Sequence, residues 1–151
     1  MFVARGGFSD RPAPAPSASA TGTVPVSAPP AASAAVAAVC GKLLGALPRT
    51  LDGRPARPVS AAPDQVVAWG SPPVVLRCGV GPVTVPPDTN EQFQINGVRW
   101  YAETHGSAVV FTTTDRTVPV EVTVPATTAG NPADPVAELS VPVGRTIPAK
   151  G

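Results

Sequence analysis

Residues 117–125, with the sequence TVPVEVTVP, alternate between apolar and polar positions more strictly than any other part of the chain. Successive side chains of a β-strand point to opposite faces, so this pattern predicts a strand with one buried and one solvated face. The buried face is predicted to consist of Val118, Val120, Val122 and Val124. Such a strand needs partner strands and a second layer over its apolar face. Pro119 cannot donate a backbone hydrogen bond, which favours a position at the edge of the sheet.

Further strand-like runs lie upstream, at residues 74–78, 93–95, 98–103 and 107–114. In the first of them Val74, Leu76 and Cys78 share one face. The pair Asn96-Gly97 separates the second run from the third, and this dipeptide is typical of a tight hairpin turn. The chain is therefore predicted to contain several antiparallel strands.

One stretch has helical character. Residues 31–47 are rich in alanine, the best helix former, and Pro48 prevents continuation. The larger apolar residues of this stretch recur at helical spacing: Val36, Cys40, Leu43 or Leu44, and Leu47. The spacing predicts a helix whose apolar face carries one of the two cysteines.

The rest of the chain gives weaker signals. Residues 49–65 are expected to be mostly loop, with a turn at Asp52-Gly53. The C-terminal part is expected to be extended, apart from one helical turn around residues 135–139. We predict an α+β fold in which one N-terminal helix packs on a four- to five-stranded, mainly antiparallel sheet. About 125 residues can bury roughly two-thirds of their unfolded surface, which is enough for an independent core.

The prolines divide the chain. Residues 1–22 are rich in Pro, Ala and Ser and are predicted to form a disordered arm or tether, because they offer little apolar surface to bury. Residues 23–147 are expected to form a single domain and residues 148–151 a flexible tail. The sequence shows neither an apolar segment typical of a signal peptide nor one long enough to span a bilayer.

Composition argues against several classes of site. Charged residues make up 14% of the chain and the formal net charge is +1, so we expect no nucleic-acid partner. Two cysteines and one histidine, widely scattered, do not match a metal site, and His105 is interpreted as a solvated turn residue. No nucleophile motif or phosphate-binding loop is present. We predict no catalytic residues, no metal site and no cofactor.

Outward-facing residues are the remaining candidates for a binding site. The alternation places Arg77, Arg99, Tyr101 and Glu121 on the face opposite the helix, and Arg116 completes the candidate surface. Such a surface could bind a peptide or a glycan. It could equally be an ordinary solvated face with a cross-strand Arg–Glu pair. Both tryptophans are expected in the core.

Several motifs in this order resemble a known family: PVSAPP, CGKLLGALP, AWGSPPVVLRCGV, GVRWYAET, VVFTTTDR and VPVEVTVP. The chain is similar, over about residues 23–125, to actinobacterial exported proteins grouped as domain of unknown function family 3515. The most specific element is AWG-x-P joined to LRCG. The resemblance implies a helix-plus-sheet fold, pairing of the two cysteines, and a lipoprotein-like or membrane-anchored envelope protein. It implies no catalytic residue, and this chain lacks the family's hydrophobic N-terminus.

The residues agree with the implied cysteine pairing. Cys40 and Cys78 fall on the apolar faces of the helix and of a strand, and an intramolecular disulfide is the simplest interpretation. The alternative is a pair of reduced, buried thiols in a cytosolic protein. We predict an extracytoplasmic, non-catalytic module, of the cell envelope or secreted, that binds an unknown envelope protein or cell-wall component. A membrane would be reached only through a tether absent from this sequence. The alternative function is an enzyme, or an enzyme accessory, acting on cell-wall material.

Overall fold

The computed structural model describes residues 22–127 and 130–150. Within these residues the chain forms two helices, α1 (Ala34–Ala46) and α2 (Ala133–Thr146). The strands are β1 (Thr50–Leu51), β2 (Arg54–Arg57), β3 (Val66–Trp69), β4 (Val74–Cys78), β5 (Gln92–Ile95), β6 (Val98–His105), β7 (Ala108–Thr113) and β8 (Val120–Pro125). The predicted N-terminal arm, apart from Gly22, lies outside the described residues.

The strands form one sheet in the order β1-β2-β3-β4-β8-β7-β6-β5, and all neighbours are antiparallel. Strand β8 lies between β4 and β7, so the prediction of an edge position from Pro119 is wrong. Pro119 precedes the strand, and its carbonyl accepts a hydrogen bond from the N–H of Gly79 at 2.9 Å. Because Pro119 lies before β8, its lack of a backbone N–H removes no hydrogen bond between β8 and the neighbouring strands.

The predicted sheet of four to five strands is also wrong, because the described residues form eight. Residues 49–65 were expected to be loop but contain the hairpin of β1 and β2, and β3 follows directly. The turn at Asp52-Gly53 is present, with both residues at positive φ. Strands of two and four residues are too short to show alternation, and Pro55 inside β2 further conceals it.

Helix α2 is the second departure from the predicted fold. A single turn was expected, whereas the helix has 14 residues. Pro132 is the N-cap and Pro135 lies in the first turn, where no N–H is needed. Pro142 occupies the helix interior, so three prolines concealed a regular apolar stripe. The buried apolar residues that form this stripe are Val136, Leu139 and Val143, and the buried Ser140 lies beside them.

Helix α1 nearly matches the expected residues 31–47. Ser33 caps it, since its Oγ accepts a hydrogen bond from the N–H of Val36 at 3.2 Å. Cys40 lies on the buried side of the helix and forms a disulfide with Cys78 of β4, with a Cα–Cα distance of 5.8 Å. Both cysteines are 0% exposed. The disulfide expected from the sequence is thus present and joins the first helix to the sheet.

The core lies between the two helices and one face of the sheet. Trp69 and Trp100 are fully buried there, as expected. Their indole N–H groups are satisfied: Trp69 donates to the carbonyl of Pro48 at 3.0 Å and Trp100 to the Oγ of Ser140 at 2.9 Å. The helix-covered side is called the inner face below, and the opposite side the outer face.

Candidate functional site

The outer face carries a row of polar side chains across five neighbouring strands. The pairing register aligns Arg77, Glu121, Thr112, Tyr101 and Gln92 on β4, β8, β7, β6 and β5. We call these five residues the polar row. Within it Arg77 Nη1 donates to Glu121 Oε1 at 2.8 Å. The structure therefore brings together three of the residues singled out from the sequence.

The other two candidates lie in different surroundings. Arg99 is exposed on the outer face, where it is paired with Gln94. Arg116 is only 8% exposed and does not join the polar row. Its guanidinium donates to the carbonyls of Ile147 and Gly97, each at 3.0 Å, and so fixes the end of α2 to the β5–β6 turn.

The middle of the polar row is closed to solvent. Thr112 and Tyr101 are buried although they lie opposite the helices. The Nε of Arg77 is also buried and has no hydrogen-bond partner among the described residues. Arg99 and Gln92, by contrast, are exposed on this face.

Tyr101 is the one tyrosine of the chain. Burial raises the pKa of its phenol above the ordinary value, and the carboxylates of Glu103 and Glu91 raise this pKa further. All three effects favour the neutral phenol.

The raised pKa predicts an alkaline loss of stability. The folded state holds the Tyr101 proton more tightly than the unfolded state. The contribution of Tyr101 to the free energy of unfolding is therefore complete below about pH 10 and falls as the pH rises further. Tyr101→Phe should lose less stability than the wild type between about pH 8 and pH 11. Urea unfolding of both proteins at each pH measures this difference, and the groups that the two proteins share cancel in the comparison. Equal losses in the two proteins would contradict the prediction.

Under the alternative enzyme function, a polar cleft would be expected to gather side chains such as Arg77, Glu103, His105 and Asp115. The structure does not bring His105 and Asp115 together. His105 ends β6, is exposed, and lies 3.4 Å from Glu103. Asp115 accepts a hydrogen bond from the N–H of Arg99 at the other end of β6, about 20 Å away along the strand. Within residues 22–127 and 130–150, no three His, Cys, Asp or Glu side chains are placed to hold a metal ion.

The free edge of the sheet at β5 is a more open feature. The N–H of Ala102 donates to the carbonyl of Glu91, which fixes the alternation of bonded and non-bonded pairs between β5 and β6. By this alternation Phe93 and Ile95 direct their backbone groups toward β6. Gln92 and Gln94 direct theirs away from the sheet. Strand β5 thus offers two N–H and two C=O groups at the free edge of the sheet, where no described strand pairs with it.

An apolar groove lies beside this edge on the inner face. It has a volume of about 540 Å³ and runs from β5 across β6 and β7 to the start of α2. Its apolar lining consists of Phe93, Ile95, Ala102, Val109, Phe111, Pro132 and Ala133. Phe93 is 41% exposed, although it is a large apolar residue. We call this feature, together with the free edge of β5, the β5 groove.

The comparisons with known proteins give one finding. The sequence matches, over residues 10–151, the profile of the family described as Protein of unknown function (DUF3515). The chain belongs to this family. Searches among curated proteins and among solved structures find no significant match.

For this DUF3515 chain, sequence reasoning missed the β5 groove. The run QFQI was recognised as a strand, but a local pattern does not reveal which strand ends the sheet. The groove also depends on α2, which was predicted as a single turn. The one feature of the sequence that could have indicated the groove is an aromatic residue, Phe93, between two glutamines. Neither helix of the described part is long and apolar enough to cross a bilayer.

Proposed function

We propose that this DUF3515 protein is a non-catalytic, extracytoplasmic module that binds a protein partner at the β5 groove. The observation that carries the proposal is that unpaired backbone groups and exposed apolar surface occur at the same place. Strand β5 has backbone groups without a neighbouring strand among the described residues, and Phe93 stands exposed over an open apolar groove. Apolar clefts of this volume are typical of binding sites in soluble domains.

The lining of the groove favours a protein ligand over a glycan. Aromatic and aliphatic side chains dominate it, and they gain most from covering other apolar side chains. The free edge adds backbone hydrogen bonds that an incoming peptide can satisfy. The closed middle of the polar row makes the outer face the weaker candidate.

The disulfide supports an extracytoplasmic location. Disulfides persist in oxidising surroundings and are rare in cytosolic proteins. The Cys40–Cys78 bridge lies in the core and joins two elements distant in sequence, as expected of a structural rather than a regulatory bond. The similarity to actinobacterial exported envelope proteins supports the same assignment, with the partner an envelope protein.

Site-specific photocross-linking tests the proposal. A benzophenone amino acid replaces Phe93 in the full chain, and a matched variant carries it at Lys42, which is exposed on α1. We expect irradiation of the source cells' envelopes to give a discrete adduct from position 93 and none from position 42. Excess wild-type protein should suppress the adduct, whereas excess Phe93→Asp should not. The proposal fails if both positions give the same adducts, or if wild-type protein does not compete.

A further inference from the structure

We infer that the ligand of the β5 groove is an extended peptide segment that pairs with β5 as an additional antiparallel strand. This segment presents bulky apolar side chains at alternate positions and a basic side chain opposite Glu91. The inference rests on the proposed function and specifies the partner's chemistry.

The backbone of β5 is suited to strand addition. Gln92 and Gln94 direct their N–H and C=O groups outward, so an added strand would form two closely spaced pairs of hydrogen bonds with them. Natural edge strands are commonly protected by lysine, proline or a bulge. The four residues of β5, QFQI, contain no charged residue and no proline. Every neighbouring pair in the sheet is antiparallel, which favours the same direction for a further strand.

The pleat assigns the ligand's side chains to faces. Residues directly opposite one another in neighbouring strands share a face, so the ligand residues opposite Phe93 and Ile95 point to the inner side. There they meet the exposed ring of Phe93 and the opening of the groove. The ligand residues opposite Gln92 and Gln94 point to the outer face. Alternating apolar and polar residues therefore match this edge, and consecutive apolar residues do not.

Charge complementarity adds a further constraint. Among the described residues that line the groove, Glu91 is the only charged one, and it is exposed. No cationic group of the described residues lies within salt-bridge distance of its carboxylate. Glu91 shares the inner side with Phe93 and precedes it by two residues. In an antiparallel ligand, the residue opposite Glu91 lies two positions after the apolar residue opposite Phe93.

A synthetic peptide tests this arrangement. The probe is the blocked heptapeptide Thr-Leu-Thr-Phe-Thr-Arg-Thr, and its controls are a scrambled peptide and the reversed sequence. Calorimetric titration of the full-length, disulfide-bonded protein measures binding. We expect the probe to bind at least tenfold more tightly than either control, because only the probe combines alternation with the basic residue at the antiparallel position.

Backbone variants separate strand addition from simple occupation of the groove. Gln94→Pro removes an outward N–H that is not part of the β5–β6 ladder, so the fold should persist, which thermal unfolding verifies. This variant should bind the probe at least tenfold more weakly than the wild type, and at least fivefold more weakly than Gln94→Val, which retains the N–H. Glu91→Gln should weaken binding about threefold at low salt and have no effect at high salt. Lys42→Ala, on α1, is the neutral control.

Several outcomes would overturn the inference. The first is equal binding by Gln94→Pro and the wild type with loss of binding in Phe93→Asp, which would mean that the groove takes an apolar ligand without strand pairing. The second is failure of the wild type to bind the probe. A photocross-link at position 93 that survives either result would leave the proposed function standing. The third is a dimer in analytical ultracentrifugation that Gln94→Pro dissociates, which would assign the edge to a second copy of the chain.

Discussion

Removal of the Cys40–Cys78 disulfide is expected to lower the free energy of unfolding by about 4 kcal/mol. The two cysteines are 38 residues apart in sequence, and the bridge restricts the unfolded chain by closing this loop. For a domain of this size the loss corresponds to a fall in melting temperature of roughly 10–15 °C. A change of this size is a large part of the roughly 5–15 kcal/mol that stabilises a typical domain.

Chemical denaturation of three samples measures the effect: the oxidised wild type, the wild type unfolded and refolded with reductant, and Cys40→Ala/Cys78→Ala. The reduced wild type isolates the covalent bond, since it retains both sulfur atoms in the core. Protein taken from its native compartment with thiols blocked at lysis should carry no blocked cysteine. Two blocked cysteines would contradict the extracytoplasmic assignment, and equal stability of the three samples would contradict the structural role of the bridge.

Arg116→Met is expected to destabilise the domain by about 3 kcal/mol, or roughly 10 °C in melting temperature. The guanidinium is almost fully buried and donates to the carbonyls of Ile147 and Gly97. Methionine fills much of the same volume but cannot donate, so both carbonyls would lose this partner. Asp115, whose carboxylate lies 3.3 Å from the Nε of Arg116, would lose its ion pair as well.

Arg49→Met is the matched control, because Arg49 is exposed and surface substitutions usually change stability by less than about 0.5 kcal/mol. Arg116→Lys should fall between the wild type and Arg116→Met, since one ammonium group cannot reproduce the fork of donors that reaches two separate carbonyls. Urea unfolding measures all four proteins. A cost for Arg116→Met no larger than for Arg49→Met would show that the buried guanidinium contributes little.

Local alternation predicted much of the sheet but not its order. The valines of β8 showed a one-sided strand, and the parity of β4, β6 and β8 placed Arg77, Tyr101 and Glu121 on one face. Which strands lie side by side depends on contacts distant in sequence, and the local pattern does not contain them. Pro119 illustrates the limit: its chemistry is compatible with an edge strand and equally with the residue just before a central one.

The remaining differences have equally specific causes. Arg116 follows the end of β7, where the chain leaves the strand and side-chain parity no longer predicts a face. Helix α2 was predicted only as one turn around residues 135–139, because prolines at positions 132, 135 and 142 obscure its apolar spacing. Proline is compatible with the first turn of a helix, and the apolar spacing of Val136, Leu139 and Val143 outweighs the single interior proline. The β5 groove depends on this helix and on the position of β5 at the end of the sheet, and neither is encoded in the local pattern.

The position of β8 has a consequence for the order of assembly. Strands β1 to β4 and strands β5 to β7 each pair with neighbours in sequence, so two separate meanders can form early. The strand that joins them is the last to be synthesised, and it pairs with β4 across a long intervening segment. Pairing of this kind is slow, and it leaves β4 and β7 with bare, apolar edges until residue 125 has emerged. A nascent chain therefore passes through a stage in which the unpaired strand edges of both half-sheets are open to self-association.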